Sequence, residues 1–281
     1  MLVSIFHSLK LSENDAIILT TINTIIALVF MSIEYLNLLK KSRLNSNTLF
    51  SWEILSSRAG WLYTGWRGAF FKFIFEDRRF GIVILLRLLV AVFLLFNVEN
   101  RLFVSFCLFI LFFISCLINI RHFHGRDGAD EVLAILLIGL GVYYAININF
   151  QIRWIGPAFV IAQLTLSYFI SGIYKLKSNT WRSGKAVQKI MATEIYGKPS
   201  LVFLFRKKSV ALICCWVVIV WETTFPLIFL IPSPFCFIWL ILGMMFHISM
   251  SYIMGLNTFM FSYLSAYPLF FFQLTKPHFI I

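Results

Sequence analysis

Long apolar segments and polar connections follow one another along this chain, and each apolar segment has the length of a whole helix. Apolar runs of roughly 20 residues, the length that crosses the hydrocarbon core of a bilayer, are separated by polar connections. The pattern predicts membrane spans at 16–38, 80–98, 102–120, 131–149, 155–174, 210–231 and 235–256, and a shorter span at 258–274 that contains Pro268. We therefore expect an all-α integral membrane protein, a bundle of about seven to eight transmembrane helices.

Two long connections interrupt the spans. Connection 39–79 is basic and rich in tryptophan, a composition that suits the headgroup layer. Within connection 175–209, the stretch from Trp181 to Tyr196 predicts an amphipathic interfacial helix. Val187, Ile190, Met191 and Glu194 are spaced i, i+3, i+4, i+7, while Lys185 and Lys189 lie on another side.

The composition excludes several classes of protein. The 281 residues are 60% hydrophobic and only 13% charged, whereas a soluble domain needs about a quarter charged residues. This excludes a soluble globular enzyme, a nucleic-acid-binding module and a disordered tail. We expect an N-terminal span with its basic connection over 1–79 and a multi-helix membrane domain over 80–281.

The cysteines predict no disulfide or metal site, and the N-terminus predicts no cleaved signal peptide. All five cysteines lie in apolar runs, where we expect packing residues with no disulfide and no metal site. They are Cys107, Cys116, Cys214, Cys215 and Cys236. The first residues do not have the pattern of a cleaved signal peptide, so we expect none.

The basic residues are concentrated in a few connections. The net charge is +12, from 24 Lys and Arg against 12 Asp and Glu. Nineteen of the basic residues lie in 39–79, 121–130 and 175–209, against three in the alternate loops. The positive-inside rule then predicts that these connections are cytoplasmic and that the N-terminus is outside, in a multi-pass protein of the plasma (inner) membrane surrounded by its lipids. The other interpretation is that the basic segments contact an anionic partner.

Three ionisable residues lie inside predicted spans, where each costs about 2.5 to 3.5 kcal/mol on insertion scales. They are Arg87, Glu222 and His247. One interpretation is a purely structural pair, Arg87 with Glu222 or Glu222 with His247, that holds helices together. The other is a site in which Glu222 or His247 handles a proton or orients a head group.

A polar stripe runs along the span 155–174 to its end. Gln163, Ser167, Ser171 and Lys175 are spaced four residues apart and so share one helix face. Lys175 has two interpretations: a lysine whose ammonium reaches the membrane boundary, or a desolvated lysine that acts as a base.

The loop 121–130 is the most polar stretch of the chain. Its His122-x-His124 is a weak metal motif, because two histidines need further ligands. The simpler interpretation is a turn in which Asp130 caps the next helix.

Several of these motifs together resemble the HTTM domain, the membrane domain related to vitamin K-dependent gamma-carboxylase. The segment from Tyr168 to Lys175, followed by Trp181-x-x-Gly184, resembles the core motif of that family. Further similarities come in the same order along the chain. They are the loop Arg126-Asp127-Gly128-Ala129-Asp130, Glu222, Phe246-His247 and the ending Pro268-Leu269-Phe270. Together the resemblance covers roughly 80 to 274.

The resemblance implies that Lys175 is a base in a water-poor pocket, with His247 and Glu222 as supporting groups. We expect the substrate- or lipid-binding residues to be Arg87, Gln163, Tyr168, Trp181, Asp127 and Asp130. A quinone-like cofactor is also implied.

This chain departs from the carboxylase in lacking its large soluble domain and a clear equivalent of the histidine before its fourth span. It is more similar to the stand-alone bacterial type, including the membrane component that matures the sporulation-delaying peptide toxin. The family topology places the lysine motif outside, in conflict with the charge count.

Three functions remain open. The first is maturation or modification of a small peptide at the membrane, with Lys175 as base. The second is a non-catalytic receptor, immunity or assembly factor that binds a peptide or anionic lipid. The third is a transporter, for which Pro226 and Pro268 are the only breaks that could mark discontinuous helices.

Overall fold

A computed structural model describes residues 11–41, 52–57, 64–121, 128–194, 196–231 and 235–275. Within these ranges the regular structure is entirely helical, with no strand. The described residues form two compact units, one within 1–20 and 158–281 and the other within 21–157. Each unit is described by itself.

The unit 21–157 contains most of helix α1 (Glu13–Lys40) and three further long helices. Helix α1 begins in the other unit and enters this one at Thr21. The helices that follow are α2 (Trp52–Ser56), α3 (Gly65–Phe75), α4 (Asp77–Leu95), α5 (Arg101–Arg121), α6 (Ala129–Ala145) and α7 (Phe150–Arg153). Helices α4, α5 and α6 pack side by side.

The second unit carries the polar stripe. Its first long helix is α8 (Ile155–Lys177), which enters the unit at Ala158. Short helices follow, α9 (Asn179–Arg182), α10 (Lys185–Met191) and α11 (Pro199–Arg206). The remaining elements are α12 (Lys208–Thr224), a 3-10 turn at Phe225–Phe229, α13 (Cys236–Met254), α14 (Asn257–Ser265) and α15 (Tyr267–Thr275).

Five helices are long and apolar enough to cross a membrane, which supports the prediction of a membrane protein. They are α1, α5, α8, α12 with its 3-10 extension, and α13. Each coincides with a predicted span to within a few residues at each end. The predicted spans 80–98 and 131–149 also correspond to helices, α4 and α6.

The predicted amphipathic helix from Trp181 to Tyr196 is wrong as a single element. The chain forms α9 and α10 instead, and between them Gly184 adopts a left-handed conformation with φ of +80°. A side chain at this position would also lie 2.9 Å from the backbone nitrogen of Leu212. Glycine therefore allows both the turn and the close contact with α12.

The predicted span 258–274 consists of two helices of nine residues each, α14 and α15. Each is about 14 Å long, well short of the hydrocarbon thickness. Pro268 lies in the first turn of α15, where its missing N–H breaks no helical hydrogen bond. Pro226 marks the other predicted break, since α12 changes to the 3-10 turn at Phe225.

Candidate functional site

Lys175 and Glu222 form an ion pair between α8 and α12. The Lys175 Nζ donates to both carboxylate oxygens of Glu222, at 2.8 Å to Oε1 and 2.6 Å to Oε2. The same Nζ donates to the hydroxyl of Ser171, at 2.5 Å. An ammonium group has three protons, so this arrangement gives an acceptor to each of them.

The pair forms because the two helices approach unusually closely at Gly172. A Cβ atom at this position would lie 2.5 Å from the backbone nitrogen of Thr223 and 2.9 Å from the carbonyl carbon of Glu222. Only a glycine fits at such a distance. Lys175 lies three residues after Gly172, almost one turn further along the same helix, and so reaches Glu222.

The predicted polar stripe is confirmed as one face of α8. Its members Gln163, Ser167, Ser171 and Lys175 are all half-buried. Ser171 bonds to Lys175, one turn further on, as the four-residue spacing predicts. Trp181 stands at the end of the stripe, with the centre of its ring system 5.1 Å from Lys175 Nζ, in the range of a cation–π contact.

Because both side chains are largely buried, each charge of this pair is stabilised mainly by the other charge. The Glu222 side chain is 5% exposed and that of Lys175 is 18% exposed. Removing either charge would leave the other in a poorly hydrated site without its partner. The arrangement can therefore do acid–base chemistry, because a proton can pass between the amine and the carboxylate along a short hydrogen bond.

His247 lies in an aromatic cluster beside this pair. Its Nε2 is 2.7 Å from the hydroxyl of Tyr168, which is two turns before Lys175 on α8. His247 is fully buried, stacks on Tyr263 with ring centres 4.5 Å apart, and has no partner for Nδ1. The Tyr168 ring also contacts Trp221, the residue before Glu222, at 4.9 Å.

These contacts correct the pairings expected for Glu222. The predicted structural pairs, with Arg87 or with His247, are wrong, because the carboxylate pairs with Lys175 and the imidazole with Tyr168. Sequence spacing could not show this, since Lys175 and Glu222 are 47 residues apart.

Arg87 and Asp130 belong to the unit 21–157. The Arg87 Nε donates to Ser32 Oγ at 2.9 Å, while its two terminal nitrogens have no hydrogen-bond partner. The hydroxyl of Tyr35 donates to both oxygens of Asp130, at 2.9 and 2.8 Å, and its ring faces Arg87. The predicted capping role of Asp130 is wrong, since Gly128 occupies the N-cap of α6.

Some predicted residues lie outside the part that the structure describes. These are Asp127, His122 and His124, within 122–127. In the described ranges no group of three His, Cys, Asp or Glu side chains is placed to hold a metal ion.

The sequence did not single out several residues that complete these groups. Trp221 and Tyr263 pack around Tyr168 and His247, and Ser32 and Tyr35 bond to Arg87 and Asp130. Ser32 and Tyr35 are spaced i, i+3 and so lie on one face of α1, but that span contains other polar residues as well, among them Thr24 and Glu34. Their spacing alone therefore did not single them out.

Comparison with protein-family models, with curated proteins and with solved structures finds no match for this chain. The resemblance to the HTTM family and the roles it implies therefore stay predictions.

Proposed function

We propose that this chain is a multi-pass membrane protein of the HTTM type that matures or modifies a small peptide at the membrane, with Lys175 as the base. One observation supports this most directly. The lysine to which the resemblance assigns the base is held against a buried carboxylate, Glu222, and beside Trp181 of the same motif.

Lys175 has to lose a proton before it can act as a base, because an ammonium group has no lone pair to accept one. Transfer of one proton from the ammonium to Glu222 produces a neutral amine and a neutral acid, and poor hydration favours the uncharged pair. The amine then takes a proton from an acidic group of the substrate and becomes an ammonium again. Glu222 holds the proton that Lys175 has released, and the hydroxyl of Ser171 orients the amine.

The proposed architecture has seven to eight spans in the plasma membrane. The five apolar helices supply five of them, and α4 and α6 supply two more. The resemblance also implies a quinone-like cofactor, and the aromatic rings around the His247 imidazole are side chains against which such a ring would pack. In its reduced, hydroquinone form, such a cofactor would supply an acidic hydroxyl group.

The experiment compares two lysines on the same helix. The genes beside its own are first searched for a small secreted peptide, that peptide is expressed together with the protein, and the mass of the secreted peptide is measured. Lys175→Ala should reduce modified peptide by about 100-fold or more, the usual size of a general-base effect. Lys177→Ala, at an exposed position two residues later, should leave the product unchanged at equal membrane levels of protein.

Full product from Lys175→Ala would overturn the proposed role. Loss of product in Lys177→Ala to the same extent would also overturn it, because the effect would then follow the loss of any positive charge at the end of α8.

A second candidate is a non-catalytic receptor, immunity or assembly factor. It is favoured by the complete set of acceptors around Lys175 Nζ, which is also what a structural ion pair requires. The double variant Lys175→Met/Glu222→Leu separates the two functions. An apolar pair of similar volume often replaces a buried ion pair without loss of stability, so only the catalytic function should disappear.

A further inference from the structure

We propose that α11 and the basic residues after it form a docking surface for the headgroups of anionic phospholipids. The α11 surface is defined as Phe203, Leu204, Arg206, Lys207 and Lys208. This inference does not depend on the role of Lys175.

Phe203 and Leu204 form a small exposed apolar face on α11, where a soluble protein would be polar. Ser200 precedes them and Lys207 follows them at the end of the helix, and both are exposed too. Phe203 is 64% exposed. Phe205, by contrast, is buried, and α11 packs on α10 and α12.

Three consecutive cations follow this apolar face. Arg206, Lys207 and Lys208 are all exposed. Glu194 is the one acidic residue of the whole connection 175–209. The first turn of α12, which begins at Lys208, contains no acidic residue either. Lys207 and Lys208 lie at the positive end of α12, where a cation is unfavourable, and Arg206 precedes them directly, so an anion at this place is stabilising.

The helix is held in place at both ends. The side-chain amide of Gln188 donates to the carbonyl oxygen of Arg206 at 3.1 Å. Before the helix, Lys198 Nζ lies 3.8 Å from the centre of the Tyr252 ring on α13. The α11 surface is thus presented by a fixed scaffold.

Position and composition favour a lipid over a soluble anion. The α11 surface leads directly into α12, one of the five helices that can cross a membrane. It therefore lies where a span ends, at the level of the headgroups. Exposed apolar side chains beside cations are the composition of a helix in the membrane interface, with the rings among acyl chains and the cations against phosphates.

The test measures retained lipid in the intact protein. The full chain is reconstituted with phosphatidylglycerol and phosphatidylcholine and then re-extracted, and the bound phosphatidylglycerol is quantified by mass spectrometry. The triple variant Arg206→Gln/Lys207→Gln/Lys208→Gln should retain it about 100-fold more weakly, about fivefold for each cation. Phe203→Ser/Leu204→Ser should weaken retention about tenfold with the charges intact.

A matched control removes three exposed cations elsewhere. Lys177→Gln/Lys185→Gln/Lys189→Gln should keep retention within about twofold of the original chain, since these exposed lysines belong to the same connection but lie outside the α11 surface. An equal loss of retained phosphatidylglycerol in this control would overturn the proposal, because lipid retention would then depend only on the net charge of the protein.

Competition identifies the occupant. Soluble glycerol phosphate and an acidic peptide are each added during extraction, and neither should displace the phosphatidylglycerol. Displacement by glycerol phosphate would show a site for free phosphate, and displacement by the peptide would show a protein-binding site. Either result would overturn the assignment to lipid.

Discussion

Gly172 and Thr223 bring the backbones of α8 and α12 into direct contact. A Cβ atom on Gly172 would lie 2.5 Å from the Thr223 backbone nitrogen. Glu222 immediately precedes Thr223, and Lys175 is almost one turn beyond Gly172. The absence of one side chain therefore determines whether the lysine reaches the carboxylate.

A methyl group at Gly172 should separate the two helices and break the ion pair. In Gly172→Ala the gain in helix propensity, about 1 kcal/mol, is outweighed by overpacking against a backbone that cannot move aside. We expect a net loss of about 1 to 3 kcal/mol, measured as a lower melting temperature in detergent, together with loss of activity. Gly81→Ala is the matched control, because its nearest neighbour would be a leucine methyl group at 3.8 Å. If both variants melted alike, the close approach would not be important for stability.

The ion pair should show strong coupling in a double-mutant cycle. Glu222→Leu leaves Lys175 without a counter-charge and should lower the free energy of unfolding by about 2 kcal/mol, a value reduced because the lysine is partly exposed. Adding Lys175→Met should recover most of the loss. Chemical denaturation of the two single variants and the double variant measures the coupling. Additive losses would contradict the pairing.

The hydroxyl of Tyr168 should be needed to satisfy His247. Tyr168→Phe leaves Nε2 of a fully buried imidazole without its partner, which costs about 1 to 3 kcal/mol. Tyr174→Phe, on the same helix but 72% exposed, should have almost no effect. Thermal unfolding compares the two, and an unchanged melting temperature for Tyr168→Phe would be inconsistent with a direct hydrogen bond.

Arg87 should stabilise the unit 21–157 through Tyr35 and Asp130. Its guanidinium carbon lies 5.4 Å from the centre of the Tyr35 ring, and Tyr35 bonds to the buried carboxylate of Asp130. Arg87→Met removes the cation and leaves that carboxylate buried, so the free energy of unfolding should fall by about 1 to 3 kcal/mol. Ser32 keeps its bond to the Leu28 carbonyl in this variant. Unchanged stability in chemical denaturation would contradict this role of the charge.

The five helices that are long and apolar enough to cross a membrane could be predicted because length and apolar composition are local properties. The spacing of Ser171 and Lys175 was likewise enough to place them together, since both lie on one helix. The partner of Lys175 could not be predicted in this way. It depends on which two helices touch, and that depends on the close contact at Gly172.

Gly184 shows the same limit in a short segment. The apolar spacing after Trp181 is correct for a helix, but one residue with positive φ divides it into α9 and α10. Such a turn is determined by the packing of Gly184 against α12. Periodicity in the segment itself contains no information about that contact.

The measurement that tests the central claim most directly is peptide modification by Lys175→Met/Glu222→Leu. This double variant should insert in the membrane, unfold near the temperature of the original chain and yield no modified peptide. Modified peptide at the original level, from a variant without amine or carboxylate, would contradict an acid–base role for Lys175 and Glu222.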